Sequence, residues 1–414
     1  MDQEERATID ILKQTNPWWD NENFTFNLLE REEYLSNIMD RKDRLIQILI
    51  GARRVGKTFI LKSVINHLLL EGAKEKNVLY ISCDAREVRD LGIKRVIDIY
   101  IKQFKINLKQ RIYIFLDEVQ EVKDWQSDVK YFYDNLSIQF YLTGSSSLIL
   151  SSKTSKLTGR FILHQVLPLS FKEYLLFTNT KIIKDKKNNE KILEEYLQTG
   201  GYPEYVLLKN RQYLMDAIES TLYRELLEVY GIRNPKLLRT LIEYLSDKVT
   251  NYVSANKIRQ DLKVDDKTAA FYLQYLQDIY LLYPVYKYGR SYKISKNSIP
   301  KYYFNDTGIL NVFSLYPKIG QLTENVVFLH LLRKSRSKQS LNIFYDVINN
   351  IEIDFRAQNQ LYEVKFRDGE DNNLEKYQLI NNDNVTFIRK EVDDMFVSML
   401  PSQKQITLLD FLQS

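Results

Sequence analysis

Residues 51–58 read Gly51-Ala52-Arg53-Arg54-Val55-Gly56-Lys57-Thr58 and fit G-x-x-x-x-G-K-[ST]. An apolar run at 45–50 precedes them, and a helix-like segment at 58–70 follows. Strand, glycine loop and helix in that order point to an α/β sheet that takes a phosphate chain at a strand end. Gly51 and Gly56 allow a tight turn whose N–H groups converge on an anion. The helix N-terminus adds partial positive charge. Lys57 is expected to reach the β- and γ-phosphates, and Thr58 to offer its hydroxyl to Mg2+. All eight residues form the expected ATP-binding loop.

The sheet pattern continues. Residues 77–84 read as a second strand and 86–108 as helix. Residues 111–116 are an apolar strand that ends in Asp117 and Glu118. At a strand's C-terminal end, where ligands sit in open α/β sheets, Asp117 would hold Mg2+ through its water shell. Glu118 would polarise the attacking water. A further strand at 138–142 runs into the hydroxyl-rich Thr143-Gly144-Ser145-Ser146-Ser147. Ser145 can sense the γ-phosphate or orient the water there, or the serines can serve turn geometry alone. Arg160 precedes the next strand. It is either a surface charge or an arginine finger that approaches a γ-phosphate in the same chain or in a neighbour within a homo-oligomer.

Composition limits the alternatives. With 414 residues, 44% hydrophobic and 27% charged, the chain is globular and long enough for two to four domains. Cys83 is the only cysteine, which excludes a disulfide framework and a cysteine-based zinc site. The net charge of +5 is modest, so local patches matter more than the total. No apolar run approaches the ~20 residues of a membrane span, and the acidic start is unlike a signal peptide, so a cytoplasmic protein is expected.

Several stretches carry a resemblance. They are GARRVGKT (51–58), FLDEVQEVKDW (115–125), LTGSSS (142–147), LTGR (157–160), LPLSFKEYL (167–175) and TGGYPEY (199–205). In this order they resemble archaeal and bacterial AAA+-type ATPases close to the signalling STAND class. The resemblance covers most of the chain. It implies ATP hydrolysis with Mg2+ and a helical lid. It also implies a GGxP-type turn near the nucleotide base, which puts Gly201 and Pro203 at the adenine. The alternative is a turn that Gly-Gly and Pro demand in any case.

The rear half is read from its own pattern. Residues 178–190 are polar and Lys-rich, and 191–230 are helical by periodicity, as a lid would be. Residues 254–262 and 266–280 form a helix–turn–helix, followed by a basic, Tyr-interleaved stretch that contains Lys287, Arg290, Lys293 and Lys296. That order fits a winged helix that binds DNA through those four cations. The second helix exposes Thr268, Tyr272, Gln274 and Gln277 without positive charge, so a packing module fits as well. Further on, Asp354 and Glu363-x-Lys365 fit the PD-(D/E)xK nuclease pattern, with Glu324 as an extra acid. Asp354 and Glu363 would chelate Mg2+, and Lys365 would help the attacking water.

The expected fold is therefore α/β: a P-loop AAA+-type parallel sheet with a helical lid, a winged helix and a C-terminal restriction-endonuclease-like domain. The expected limits are an N-terminal arm and helix over 1–40, ATPase core 41–178, lid 179–245, winged helix 246–300 and nuclease-like domain 301–414. Two functions follow: an ATP-driven enzyme that acts on DNA, or a nucleotide switch whose rear domains hold a partner without cutting.

Overall fold

The computed structural model describes residues 3–40, 43–144, 156–225, 234–289, 291, 297–336, 343–366, 374–380, 385–391, 400 and 403–414. Ser145, Arg290, Lys293 and Lys296 lie outside the described residues. The chain divides into two compact units, Met1–Val166 and Leu167–Ser414.

The first unit is built in the order α1 (Gln3–Thr15), α2 (Glu32–Met39), β1 (Ile46–Ile50), α3 (Lys57–Leu70), β2 (Val78–Ser82), α4 (Arg86–Leu91), α5 (Ile93–Phe104), β3 (Ile112–Asp117), α6 (Trp125–Asn135), β4 (Ile138–Gly144) and β5 (Phe161–Gln165). Its five strands are all parallel, in the order β2-β3-β4-β1-β5. Every residue of β1 and of β4 is buried, as expected for strands covered on both faces. The helix expected over 86–108 is two helices. Gly92 separates them with φ 81 and ψ 157, a conformation outside the helical region that glycine adopts readily.

Strand β2 is at the sheet's edge, where unpaired backbone groups need cover. Asn16, Trp18 and Trp19 supply it. The Asn16 side chain accepts from the Tyr80 N–H (2.6 Å) and donates to the Tyr80 carbonyl (2.8 Å). Both indole N–H groups donate to the Val78 carbonyl, at 3.1 and 2.9 Å. The side chains of a short turn thus act in place of a sixth strand. The two tryptophans are structural, with Trp19 stacked on Tyr100.

The second unit begins with helices α7 (Phe171–Phe177), α8 (Lys186–Thr199), α9 (Pro203–Leu208), α10 (Arg211–Glu225) and α11 (Pro235–Asp247). Helix α8 takes in residues 186–190 of the Lys-rich stretch, and Asp185 caps it by accepting from the Asn188 N–H. Helices α12 (Ala255–Leu262) and α13 (Asp266–Asp278) follow, capped by Ser254 and Asp265. Tyr272 is not on an exposed face. It is buried, and its hydroxyl donates to the Asn234 carbonyl.

The remaining elements are β6 (Leu282–Lys287), β7 (Lys301–Phe304), α14 (Thr307–Phe313), α15 (Ile319–Arg336), β8 (Ile343–Ile348), β9 (Ile351–Ala357), β10 (Gln360–Lys365), β11 (Val385–Arg389), β12 (Lys404–Thr407) and α16 (Leu408–Gln413). The strands make one mixed sheet, β12-β11-β10-β9-β8-β6-β7. Strands β6 and β7 pair antiparallel on either side of the limit expected at 300, and β6 also pairs parallel with β8. The hairpin after α13 and the rear strands therefore share one sheet.

Candidate functional site

The loop between β1 and α3 is held from several sides. Gly51 has φ +150, and a Cβ there would stand 2.3 Å from the Val166 carbonyl oxygen, so only glycine fits. Gly56 caps α3 with φ 96. Lys57 is buried, and its ammonium donates to the carbonyls of Gly51 and Ala52, both at 3.1 Å. Arg31 braces the loop from α2's N-terminal end by donating to the Val55 carbonyl at 2.9 Å. Val55 is buried, Arg53 half-buried and Arg54 exposed.

Parallel pairing brings the end of β3 beside this loop. The Thr58 hydroxyl donates to Asp117 Oδ2 at 2.8 Å. Tyr80 on β2 donates to the same oxygen at 2.8 Å. Thr143 on β4 donates to Asp117 Oδ1 and accepts from the Glu118 N–H at 2.9 Å. One threonine thus positions both acids. Burial, then the charge and hydrogen bond of Asp117, push the Tyr80 hydroxyl far above its ordinary range, so it stays a donor. Glu118 has φ 51 and ψ 48, a left-handed backbone uncommon for a non-glycine residue and typical of strained functional positions. Gln120 donates to its carboxylate at 2.6 Å.

Thr58 and Asp117 offer only oxygen donors, side by side, and this fits a hard divalent cation such as Mg2+. Arg160 belongs to another group. It pairs with Asp134 on α6 at 3.0 Å, which Lys130 also contacts. Cys83 is buried, and burial raises its thiol well above the ordinary value, so it is an inert core residue. Tyr80, Thr143 and Arg31 were not singled out from the sequence. Thr143 stood inside the LTGSSS stretch, two residues before Ser145, and strand alternation could have pointed to it.

Comparisons with known proteins agree with this geometry. Residues 43–175 match a family described as an AAA domain, and residues 190–318 match one described as a domain of unknown function. The uncharacterized protein MJ1544 of Methanocaldococcus jannaschii is 30% identical over 326 residues, 75% of this chain and 71% of that one. This chain belongs to the family of MJ1544. An uncharacterized Haemophilus influenzae protein is 26% identical over 342 residues, 80% of this chain and 84% of its own length. Among solved structures, the Aeropyrum pernix ORC1 protein in complex with DNA aligns at 12% identity over 72% of this chain and 95% of that chain. The TM-score of that alignment is 0.31, too low to carry an argument. The loop, Asp117 and Glu118 all lie within the stretch that matches the AAA domain.

In the second unit, two of the motif stretches, 167–175 and 199–205, meet at Asp306 and Arg333. The Gly201 N–H donates to Asp306 Oδ2 at 2.5 Å, and the Leu169 N–H donates to the Gly201 carbonyl at 2.6 Å. Arg333 donates to the carbonyls of Pro168 and Leu169. A Cβ on Gly201 would lie 2.3 Å from the Leu169 oxygen, so this glycine is required for close backbone packing. Pro203 opens α9 at its first turn, where a missing N–H costs nothing.

Burial pushes the Asp306 carboxyl up from 3.8 to about 7, against the opposing pull of the Gly201 and Gly308 N–H groups and of Arg333. A raised folded-state value means stabilisation that is complete below the unfolded value and is lost as pH rises through about 7. The unit should therefore be more stable at pH 6 than at pH 8. Glu324 and Glu363, also raised chiefly by burial, act in the same direction. Thermal melts across this range for the wild type and for Asp306→Asn separate the Asp306 share, at most about 1.4 kcal/mol per pH unit. Equal slopes in the two proteins would remove it.

The rear acids also meet. Backbone pairing of β9 with β10 runs from Gln360–Ala357 to Tyr362–Phe355 and stops there. Beyond it the carboxylates take over. The Asp354 N–H donates to Glu363 Oε2 at 3.2 Å, and the Val364 N–H donates to Asp354 Oδ2 at 2.9 Å. Lys365 lies 2.6 Å from Glu363 Oε1, which also accepts from Tyr377 at 2.5 Å. Glu324 on α15 faces this group and accepts from Tyr303 at 2.7 Å. Asp354, Glu363, Lys365 and Glu324 are thus neighbours. Among the described residues no group of three or more His, Cys, Asp or Glu side chains is disposed to hold a metal ion. A residue absent from the expectation, Lys301, has its ammonium beside two of these acids, Asp354 and Glu324.

Lys287, at the end of β6, is exposed. No helix among the described residues is long and apolar enough to cross a membrane.

Proposed function

We propose that this chain binds ATP with Mg2+ and hydrolyses it at the edge formed by Thr58, Asp117 and Glu118. The observation that carries the reading is the 2.8 Å hydrogen bond from Thr58 to Asp117, with Thr143 linking Asp117 to Glu118. It supports a shared site for loop and acids. Lys57 neutralises phosphate charge as the loop N–H groups close on it. A bound Mg2+ would supply further charge neutralisation on the phosphates. Thr58 and Asp117 would hold it, and they can release their mutual hydrogen bond to do so. Glu118 orients the attacking water and draws off its proton, with Gln120 fixing the carboxylate. ATP turnover by the purified chain, abolished by EDTA and restored by Mg2+, is the test. Turnover that persists in EDTA would sink the assignment. Arg160 can serve as a finger within the chain or across a homo-oligomer only by leaving Asp134, an exposed and well-screened partner.

The rear unit, on this reading, holds a partner whose grip the nucleotide state alters. DNA is the partner we favour. Helix α12, α13 and the β6–β7 hairpin have the order of a winged helix, and Lys287, Arg290, Lys293 and Lys296 fall in or beside the hairpin connection. Lid 179–245, winged helix 246–300 and a nuclease-like portion from 301 are the corresponding domain proposals. Duplex binding should then weaken with salt at a slope of about −0.9 per neutralised phosphate. Neutralising the four cations should lower both affinity and slope. Unchanged binding in that variant would move the contact elsewhere. Cutting by Asp354, Glu363 and Lys365 is disfavoured by Lys301.

A further inference from the structure

Lys301 opens β7, and its side chain is 5% exposed. Its Nζ lies 2.5 Å from Glu352 Oε1, 3.6 Å from Asp354 Oδ1 and 3.7 Å from Glu324 Oε1. These carboxylates come from β9 and α15, so one ammonium joins three elements.

Donors already face most of the oxygens of the acids around it. Asp354 accepts from Val364 through Oδ2 and faces Lys301 through Oδ1. Glu363 receives Tyr377 and Lys365 on Oε1 and the Asp354 N–H on Oε2. Glu324 receives Tyr303 and faces Lys301 through the same Oε1. Glu352 receives Tyr252 through Oε2 at 2.6 Å. A magnesium or calcium ion takes six or more oxygens at short range and would have to displace these donors.

We infer that Lys301 stands where a divalent cation would sit in a carboxylate-and-lysine cleavage site, and that the rear unit is consequently a metal-free module that holds its partner without cutting it. The ammonium supplies the charge that the clustered acids need, and it ties β7 to the acid-bearing β9 and to α15. It cannot deliver a metal-bound nucleophile. The inference does not depend on the ATPase assignment.

The test is divalent-ion binding by the full chain without nucleotide, read as loss of the free Mn2+ paramagnetic signal. Wild type is compared with the double variant Asp354→Asn/Glu363→Gln. Any Mn2+ held at Thr58 and Asp117 is common to both and cancels. Equal binding is expected. A bound Mn2+ in the wild type that the double variant loses would overturn the inference, whatever the other variants do. Lys301→Ala should gain one Mn2+ per chain, and adding Asp354→Asn should remove it. A folded Lys301→Ala that gains none overturns the replacement of metal by ammonium. If Lys301→Ala does not fold, the comparison of wild type with the double variant still decides. ATP turnover measured alongside reads the front site separately, so failure of the two assignments is distinguishable.

Discussion

Glu118→Gln should retain ATP and lose turnover by about 10²–10⁴-fold, the usual contribution of a positioned general base. The amide keeps the shape and the left-handed backbone of Glu118, and the Thr143 bond to its N–H is untouched. What is lost is the negative charge that draws the proton from water. Lys57→Ala should behave differently. It removes the buried ammonium of the loop and should weaken ATP binding itself, so the loss appears before chemistry. Binding by fluorescent nucleotide and single-turnover hydrolysis measure the two effects separately. Wild-type turnover in Glu118→Gln would show that Asp117-Glu118 is a solvated turn rather than a catalytic pair. Thr143→Val should fall between the two. It leaves Asp117 Oδ1 and the Glu118 N–H without their shared partner, and both acids lose orientation together.

Gly201→Ala should cost the rear unit on the order of 3 kcal/mol or more. The added Cβ would stand 2.3 Å from the Leu169 oxygen and 2.7 Å from its nitrogen. Both are backbone atoms, so no side chain can swing aside. Relief means moving the 199–203 turn, which breaks the Leu169 N–H bond to Gly201 and the Gly201 N–H bond to buried Asp306. Overpacking of this kind costs about 1–3 kcal/mol, and each buried group left unsatisfied adds about 1–3. For a unit of this size the melting temperature should fall by on the order of 10 °C. Gly72→Ala is the control. Its Cβ meets nothing within 4 Å, and only the positive φ of +90 opposes it, a cost of about 1–2 kcal/mol. Equal melting shifts in the two variants would mean that the Gly201 contact is not tight.

The nucleotide loop was legible from residues alone because its chemistry is local. Eight consecutive positions supply the turn, the ammonium and the hydroxyl, and the flanking strand and helix announce themselves by their apolar runs. Asp117-Glu118 was legible for the same reason, as the polar end of an apolar strand. The network that orients them was not. Tyr80 and Thr143 meet at Asp117 because parallel strands β2, β3 and β4 put residues 37 and 26 positions apart side by side, and Thr58 arrives from the first turn of α3. No periodicity encodes which hydroxyl arrives there. The purpose of the Asn16 to Trp19 turn became visible only once β2 was known to be an edge.

In the rear half the spacing of Asp354, Glu363 and Lys365 put them on adjacent strands and predicted that they would meet, which they do. It carried no information about Lys301, which lies 53 residues before Asp354 and reaches it because β7 pairs with β6 in the same sheet. Sequence by itself thus determined the phosphate loop, the acid pair and the cluster of rear carboxylates, since each rests on a few neighbouring residues and a strand or helix period. Tertiary structure decided what those carboxylates hold. A buried cluster of acids requires a cation, and whether it is a metal or an ammonium depends on which side chain the folded sheet delivers into the same space.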